Sequence, residues 1–129
     1  MRKLQNIGFQ KAGRWLYKSG TVDFVLEESL AGCSNVLYAF IVNDSIKYVG
    51  KSTNTLKQRM QQYKTPGPSQ STNIENNANI KKELETGKSV EIYAFVDSAL
   101  LSYGAFRINL AEGLETSIIE DLKPEWNKK

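Results

Sequence analysis

The sequence predicts an α+β fold in a single compact domain, a small mixed sheet with helices packed on it. Three observations support this. A length of 129 residues with 40% hydrophobic content suits one modest core. Strand-like and helix-like segments are intermixed in the order β-β-α-α-β-α. An additional strand pair precedes them and would extend the sheet at its edge. Residues 1–34 then form an N-terminal β-hairpin extension, and residues 35–129 form the core.

Each element has a local reason. GRWLYKSGTVDFVLEE reads as two strands around a Ser19-Gly20 turn. NVLYAFIVNDSIKYVG is a stronger hairpin; its first strand is apolar on both faces, which suits a central strand. TNTLKQRMQQY is a helix from about Thr53 to Tyr63, with Leu56, Met60 and Tyr63 on one face and Arg59 beside them. KTPGPSQSTN is a loop. The next helix spans roughly Ile74 to Thr86, with Asn73 as its cap and Gly87 as its stop. SVEIYAFV is a strand. DSALLSYGAFRINL reads as a partly ordered connection with a short extended piece. The last helix runs from about Ala111 to Leu122 and stops before Pro124.

Composition narrows the chemistry. The formal net charge of +3 tolerates a nucleic-acid partner without requiring one. The chain has no histidine, which excludes His-metal nuclease sites, Ser-His-Asp triads and Cys-His dyads. Cys33 is the single cysteine, so no internal disulfide forms. The longest apolar runs are too short to cross a bilayer, and the N-terminus lacks the apolar core of a secretory signal. The expected location is the cytoplasm.

Several polar residues stand out. Glu115 falls within the apolar arc of the last helix, made by Leu114, Ile118, Ile119 and Leu122, whereas Glu112, Glu120 and Asp121 lie outside it. A carboxylate so placed is either a salt-bridge or partly exposed residue, or it holds a cation; one carboxylate suits Mg²⁺, which keeps most of its waters. Tyr38 and Tyr48 occupy the two strands of the second hairpin. A three-residue loop at Asn43, Asp44 and Ser45 would set Phe40 opposite Tyr48 and Tyr38 opposite Gly50, with both phenols on one side. A two-residue loop would separate them, and both rings would equally suit a core. Lys51 follows Gly50 at the strand end, and Arg59 and Tyr63 lie one helical turn apart. Lys51 as a point charge and Arg59 as a planar fork would serve a phosphate. Lys57 and Lys64 fit a solvated basic face, although with Lys81, Lys82 and Lys88 they would add salt-dependent affinity for any polyanion. YVGKS ends like a phosphate-binding loop but lacks the upstream glycine. Trp15 and Trp126 read as packing anchors.

Taken in order, VLY at 36–38, YVGKS at 48–52, Arg59 with Tyr63, Glu115, and PEWN ending in Asn127 resemble the GIY-YIG nucleases. The resemblance covers residues 35 to 127, with V-L-Y in place of G-I-Y. It is most similar to small stand-alone members, such as phage endonucleases and compact restriction enzymes. It implies a DNA endonuclease with one Mg²⁺ or Mn²⁺ ion per site, held by Glu115. It implies that Arg59 steadies charge on the phosphate and that Tyr38, or else Tyr48, takes a proton from the attacking water. Lys51 would lower that phenol's pKa or relay the proton. Tyr63 would orient phosphate or water, Asn127 would hold Glu115 or the backbone around it, and Gly50 would keep the strand end clear of substrate. Gly50, Lys51, Arg59 and Lys64 are the expected DNA contacts. A double-strand break by so small a protein would need two visits or a homodimer. A non-catalytic nucleic-acid-binding module on the same scaffold is the alternative, and an unrelated α+β interaction domain with wholly buried aromatics is a third.

Overall fold

In the computed structural model, residues 1–98 and 100–127 are described; residues 99, 128 and 129, which fall in the predicted connection and at the end of the predicted core, lie outside them. A short helix α1 (Arg2–Asn6) precedes strands β1 (Gln10–Lys18) and β2 (Thr21–Leu26), and α2 (Glu28–Ala31) leads into β3 (Val36–Val42) and β4 (Ser45–Ser52). Helices α3 (Leu56–Lys64) and α4 (Ser71–Glu85) follow, then β5 (Val90–Val96). A minute hairpin of β6 (Ser102–Tyr103) and β7 (Phe106–Arg107) precedes the final helix α5 (Leu110–Leu122). The α+β class and the core order are as expected. The two short helices within residues 1–34 and the β6–β7 hairpin were not.

Five strands form one sheet in the order β2-β1-β5-β3-β4. Every pairing is antiparallel, where a mixed sheet was expected. The N-terminal hairpin joins through β1, which pairs with β5. It is therefore an integral part of the sheet: Trp15 is buried and packs edge-on against Phe24 of β2 and Phe40 of β3. β3, buried along its whole length, lies between β4 and β5, as its two apolar faces require.

Strand alternation divides the core in two. Val36, Tyr38, Phe40 and Val42 join Trp15, Leu56, Met60, Tyr63 and Ile80 on the face covered by α3 and α4. Leu37, Ala39, Ile41 and Val49 join Leu4, Ala111 and Ile118 on the face covered by α1 and α5. α3 begins with a reciprocal cap in which Thr55 and Gln58 satisfy each other's backbone N–H, which moves its start from the expected Thr53. α4 begins at Ser71, three residues before the expected start, because Asn73 is buried within the first turn and donates to Gln70 Oε1. Its Asn77 side chain donates to the Tyr63 carbonyl at 2.8 Å, tying down the end of α3. Trp15→Ala is expected to cost about 3–5 kcal/mol of unfolding free energy in urea titration, as for other buried large-to-small changes. An N-terminal hairpin merely appended to the core would leave the midpoint nearly unchanged.

Candidate active site

The two hairpin phenols share a face by a route different from the expected one. The β3–β4 loop has two residues, Asn43 and Asp44, both at positive φ, and Val42 pairs with Ser45. That loop alone would put Tyr38 and Tyr48 on opposite sides. A bulge corrects it: the register runs from Ile41↔Ile46 to Phe40↔Tyr48, with Lys47 as the extra residue. Tyr38 then faces Gly50, and both rings point toward α3.

There they meet Tyr63 and Arg59. The Tyr38 and Tyr63 hydroxyls are 2.6 Å apart, and the Tyr48 ring packs edge-on against Tyr63 with centroids 6.2 Å apart. Arg59 Nε donates to the Tyr38 hydroxyl at 3.0 Å, and a terminal guanidinium nitrogen donates to the Tyr63 hydroxyl at 3.1 Å. The guanidinium also lies over the Tyr63 ring and donates to Gln62. Gly50 fits this cluster closely. A Cβ there would lie 2.7 Å from the Tyr38 hydroxyl and 2.9 Å from the Tyr48 ring, so glycine makes room for phenols as well as for anything bound outside.

The remaining residues gather along the outer edge of β4. The Lys47 carbonyl accepts from the Trp126 N–H. The Val49 N–H donates to Asn127 Oδ1 at 2.9 Å, and its carbonyl accepts from Asn127 Nδ2 at 2.8 Å. The Lys51 N–H is directed at the Glu115 carboxylate. These are alternate residues whose backbone groups point away from β3, and so the tail and Glu115 occupy an edge that would otherwise be open. Glu115 sits at the shoulder of the α5 apolar arc and is half-buried, close to Lys51 at the end of β4.

Burial dominates the electrostatics. It pushes the Tyr38, Tyr48 and Tyr63 phenols well above the ordinary tyrosine value, with Arg59 opposing it. Burial also raises Glu115; Lys51 opposes this and Glu112 adds to it. Glu115 is close enough to Tyr48 for its charge to raise that phenol further. A lone half-buried carboxylate fits a hard cation that retains most of its waters. It would not fit a cation needing a full protein cage, and no group of three or more His, Cys, Asp or Glu stands ready for one among the described residues.

Tyr38, Tyr48, Tyr63, Arg59 and Gly50 therefore converge on one face, and Glu115, Lys51 and Asn127 meet them at the edge. Four placements bear on the expected roles. Lys51 is on the opposite face of β4 from Tyr48, because the strand alternates, and its ammonium lies 3.7 Å from Glu112. Tyr38, placed first as the proton acceptor, is wholly buried, while Tyr48 is the phenol beside Glu115. Lys64 pairs with Asp23 of β2 at 3.0 Å, away from this cluster. Asn127 holds backbone, at Val49, rather than the Glu115 side chain. The sequence reading missed Gln62, which its i+3 spacing from Arg59 signals, and Asp97. Asp97 is buried, accepts from Asn35 and from the Ala111 N–H, and so anchors the start of the helix bearing Glu115.

Fold and site together define an α+β protein with a phenol–guanidinium cluster and one carboxylate at the edge of an antiparallel sheet. No family model matches the chain. It is 32% identical over 98 residues to Endonuclease II of Enterobacteria phage T4, covering 72% of this chain and 71% of that protein. The chain belongs to the family of phage T4 Endonuclease II. Its fold matches a glutamate-to-alanine mutant of bacteriophage T4 EndoII with a TM-score of 0.76 at 25% identity, over 99% of this chain and 98% of that one. The restriction endonuclease Hpy188I in complex with product DNA has a similar fold, with a TM-score of 0.59 at 16% identity, over 92% of this chain and 76% of that one.

Gly50→Ala is expected to lower unfolding stability by about 1–3 kcal/mol, because Tyr38 is hemmed in and cannot retreat. Urea unfolding measures this, and an unchanged midpoint would show that the cluster is loose. Glu115 gives a pH prediction. Its folded pKa is raised, so the native state binds the proton more tightly, and stability falls as pH rises from the ordinary carboxylate value through the raised one. Glu115→Gln should abolish that decline and raise the midpoint of thermal unfolding at neutral pH. A lower midpoint in the variant would contradict the assignment of a desolvated charge.

Proposed function

We propose that this protein is a Mg²⁺- or Mn²⁺-dependent DNA endonuclease of the GIY-YIG type, hydrolysing phosphodiester bonds with one metal ion per site. The observation that carries this reading is the meeting of Tyr48, Arg59 and Glu115 at one sheet edge in a relative of a phage endonuclease. Glu115 would hold the cation, which when bound would polarise the phosphoryl group, activate water and stabilise the leaving 3′ oxygen.

The chain's own groups would do the rest. A guanidinium has about five N–H donors; Arg59 commits one each to Tyr38, Tyr63 and Gln62, which locks its plane and leaves others for a phosphate. So held, it would meet charge growing on the phosphate without reorganising. Tyr48 would orient the attacking water. Its raised pKa keeps it protonated at neutral pH, so its hydroxyl would position that water by hydrogen bonding. Asn127 would fix the Tyr48–Gly50 backbone, and Lys51 would supply positive charge beside Glu115. No helix among the described residues is long and apolar enough to cross a membrane.

Supercoiled plasmid should be nicked only with the divalent ion present. Arg59→Lys, which keeps the charge but loses the fork, and Glu115→Gln should each slow nicking by about 100-fold or more, with thermal unfolding reporting that the fold survives. Nicking at the wild-type rate would refute the role of the residue changed. Retention of DNA by the wild-type protein without nicking would instead identify a binding module. Sedimentation with and without DNA would establish whether a homodimer makes double-strand breaks.

A further inference from the structure

Gln62 uses its hydrogen-bonding groups on one side only. Its Oε1 accepts from a terminal nitrogen of Arg59. A guanidinium donates and never accepts, so the carboxamide has to turn its oxygen toward Arg59 and its NH2 away. That NH2 has no partner among the described residues. The buried side-chain atoms left unpaired among them are Trp15 Nε1 and Asn76 Nδ2, so the nitrogen of the half-buried Gln62 is open to solvent. Arg59 also has donors to spare. Its Nε and one terminal nitrogen engage the Tyr38 and Tyr63 hydroxyls, and its other terminal nitrogen engages Gln62, so each terminal nitrogen keeps an N–H. All of these partners are neutral, and among the described residues no carboxylate pairs with Arg59. A half-buried guanidinium thus keeps its full charge beside unused N–H groups of its own and of an amide.

We propose that Gln62 is a phosphate-binding residue: its carbonyl oxygen fixes Arg59, and its NH2 donates to the same scissile phosphate. The inference rests on the endonuclease reading and adds a residue to how that site holds its substrate. The helix provides the spacing, since residues three apart on α3 are neighbours on its surface. The oxygen and nitrogen of an amide share one carbon, so the free NH2 stays within a few ångströms of the Arg59 nitrogen that the oxygen holds. Both groups can therefore reach oxygens of one tetrahedral anion. The chemistry is selective. Lysine or arginine at this position would only donate and would repel Arg59, and an ionised glutamate would only accept and would neutralise it. Of the long polar side chains, glutamine alone offers an acceptor to the cation and a donor to an anion at once. Donors held in this way would meet the charge that grows on the phosphate without turning to find it.

The test compares the wild type with Gln62→Ala and Gln62→Glu. Glutamate still accepts from Arg59, through a stronger charge-assisted bond, but at neutral pH it has no N–H to give and it repels phosphate. Thermal unfolding should therefore rank Gln62→Glu at or above the wild type, and Gln62→Ala below both. Plasmid nicking in Mg²⁺ should follow a different order. Gln62→Ala should be slower than the wild type by about 100-fold, the scale of a lost oxyanion donor, and Gln62→Glu slower still. The deficit of Gln62→Glu relative to the wild type should shrink as pH falls toward the carboxylate range, because a protonated carboxyl regains a donor. Nicking by Gln62→Glu at or above the rate of Gln62→Ala would overturn the proposal and leave Gln62 as a support for Arg59. Nicking by Gln62→Ala at the wild-type rate would overturn it too. The wild-type rate separates the two levels. If the wild type nicks and the variants rank by stability, the role of Gln62 alone fails; if the wild type does not nick, the endonuclease reading fails and this inference with it.

Discussion

The outer edge of β4 governs the arrangement. An edge strand exposes a row of backbone donors and acceptors, and this one engages them through Lys47, Val49 and Lys51. Trp126 and Asn127 complete the row as a short surrogate strand, with the Asn127 amide standing in for a peptide group. The same pattern of alternation that exposes the Lys51 N–H provides a donor for Glu115. Edge protection and placement of the carboxylate are thus one solution, and the distance in sequence between Tyr48 and Asn127 is bridged by backbone pairing. Trp126, buried under the same edge, ties the tail to the core and supports this register.

The site is held together at a cost to stability. Three phenols are removed from water with one guanidinium among them, and the Tyr38 and Tyr63 hydroxyls are satisfied by each other and by Arg59. A network of this kind specifies one arrangement, because moving any ring orphans another's hydrogen bond. Glu115 is different. It is partly desolvated, opposed by Glu112, and only partly compensated by Lys51. A cation would relieve that, so a group unfavourable to the folded chain alone is the one suited to binding.

Much of this was legible in the sequence, and the failures have physical causes. The apolar run of β3 identified a central strand, and the place of Glu115 in an otherwise apolar arc marked it as unusual. The order of Tyr38, Tyr48, Arg59, Tyr63, Glu115 and Asn127 was legible as a set. The direction of Lys51 was obscured, because closeness in sequence to Tyr48 counts for less than strand parity, and an odd separation turns the side chain away. The pairing of Lys64 with Asp23 was hidden because it requires β2 to pack near α3. The start of α4 was misread because Asn73 looks like a cap but contributes as a buried residue within the first turn. The segment 98–110 gave little signal because its strands are two residues long and its aromatics have no apolar face to match.

The β3–β4 hairpin shows how a correct site can follow from an incorrect turn. A two-residue loop reverses the parity of every position beyond it, and a single bulge reverses it again. From Tyr48 to the strand end, the result is the same as for a three-residue loop without a bulge. Only Ser45, Ile46 and Lys47 differ. The bulge also increases local twist, and it falls at Lys47, whose carbonyl receives the Trp126 N–H and whose ammonium pairs with Glu125 at 2.7 Å. The irregularity that restores the phenols to one face is therefore also where the C-terminal tail docks. A regular hairpin would keep the two rings together but would not offer the tail this site, and without the tail Asn127 would not hold the backbone between Tyr48 and Gly50. The constraint on residue 47 is thus one of backbone geometry, which accounts for its importance despite a side chain that takes no part in the cluster.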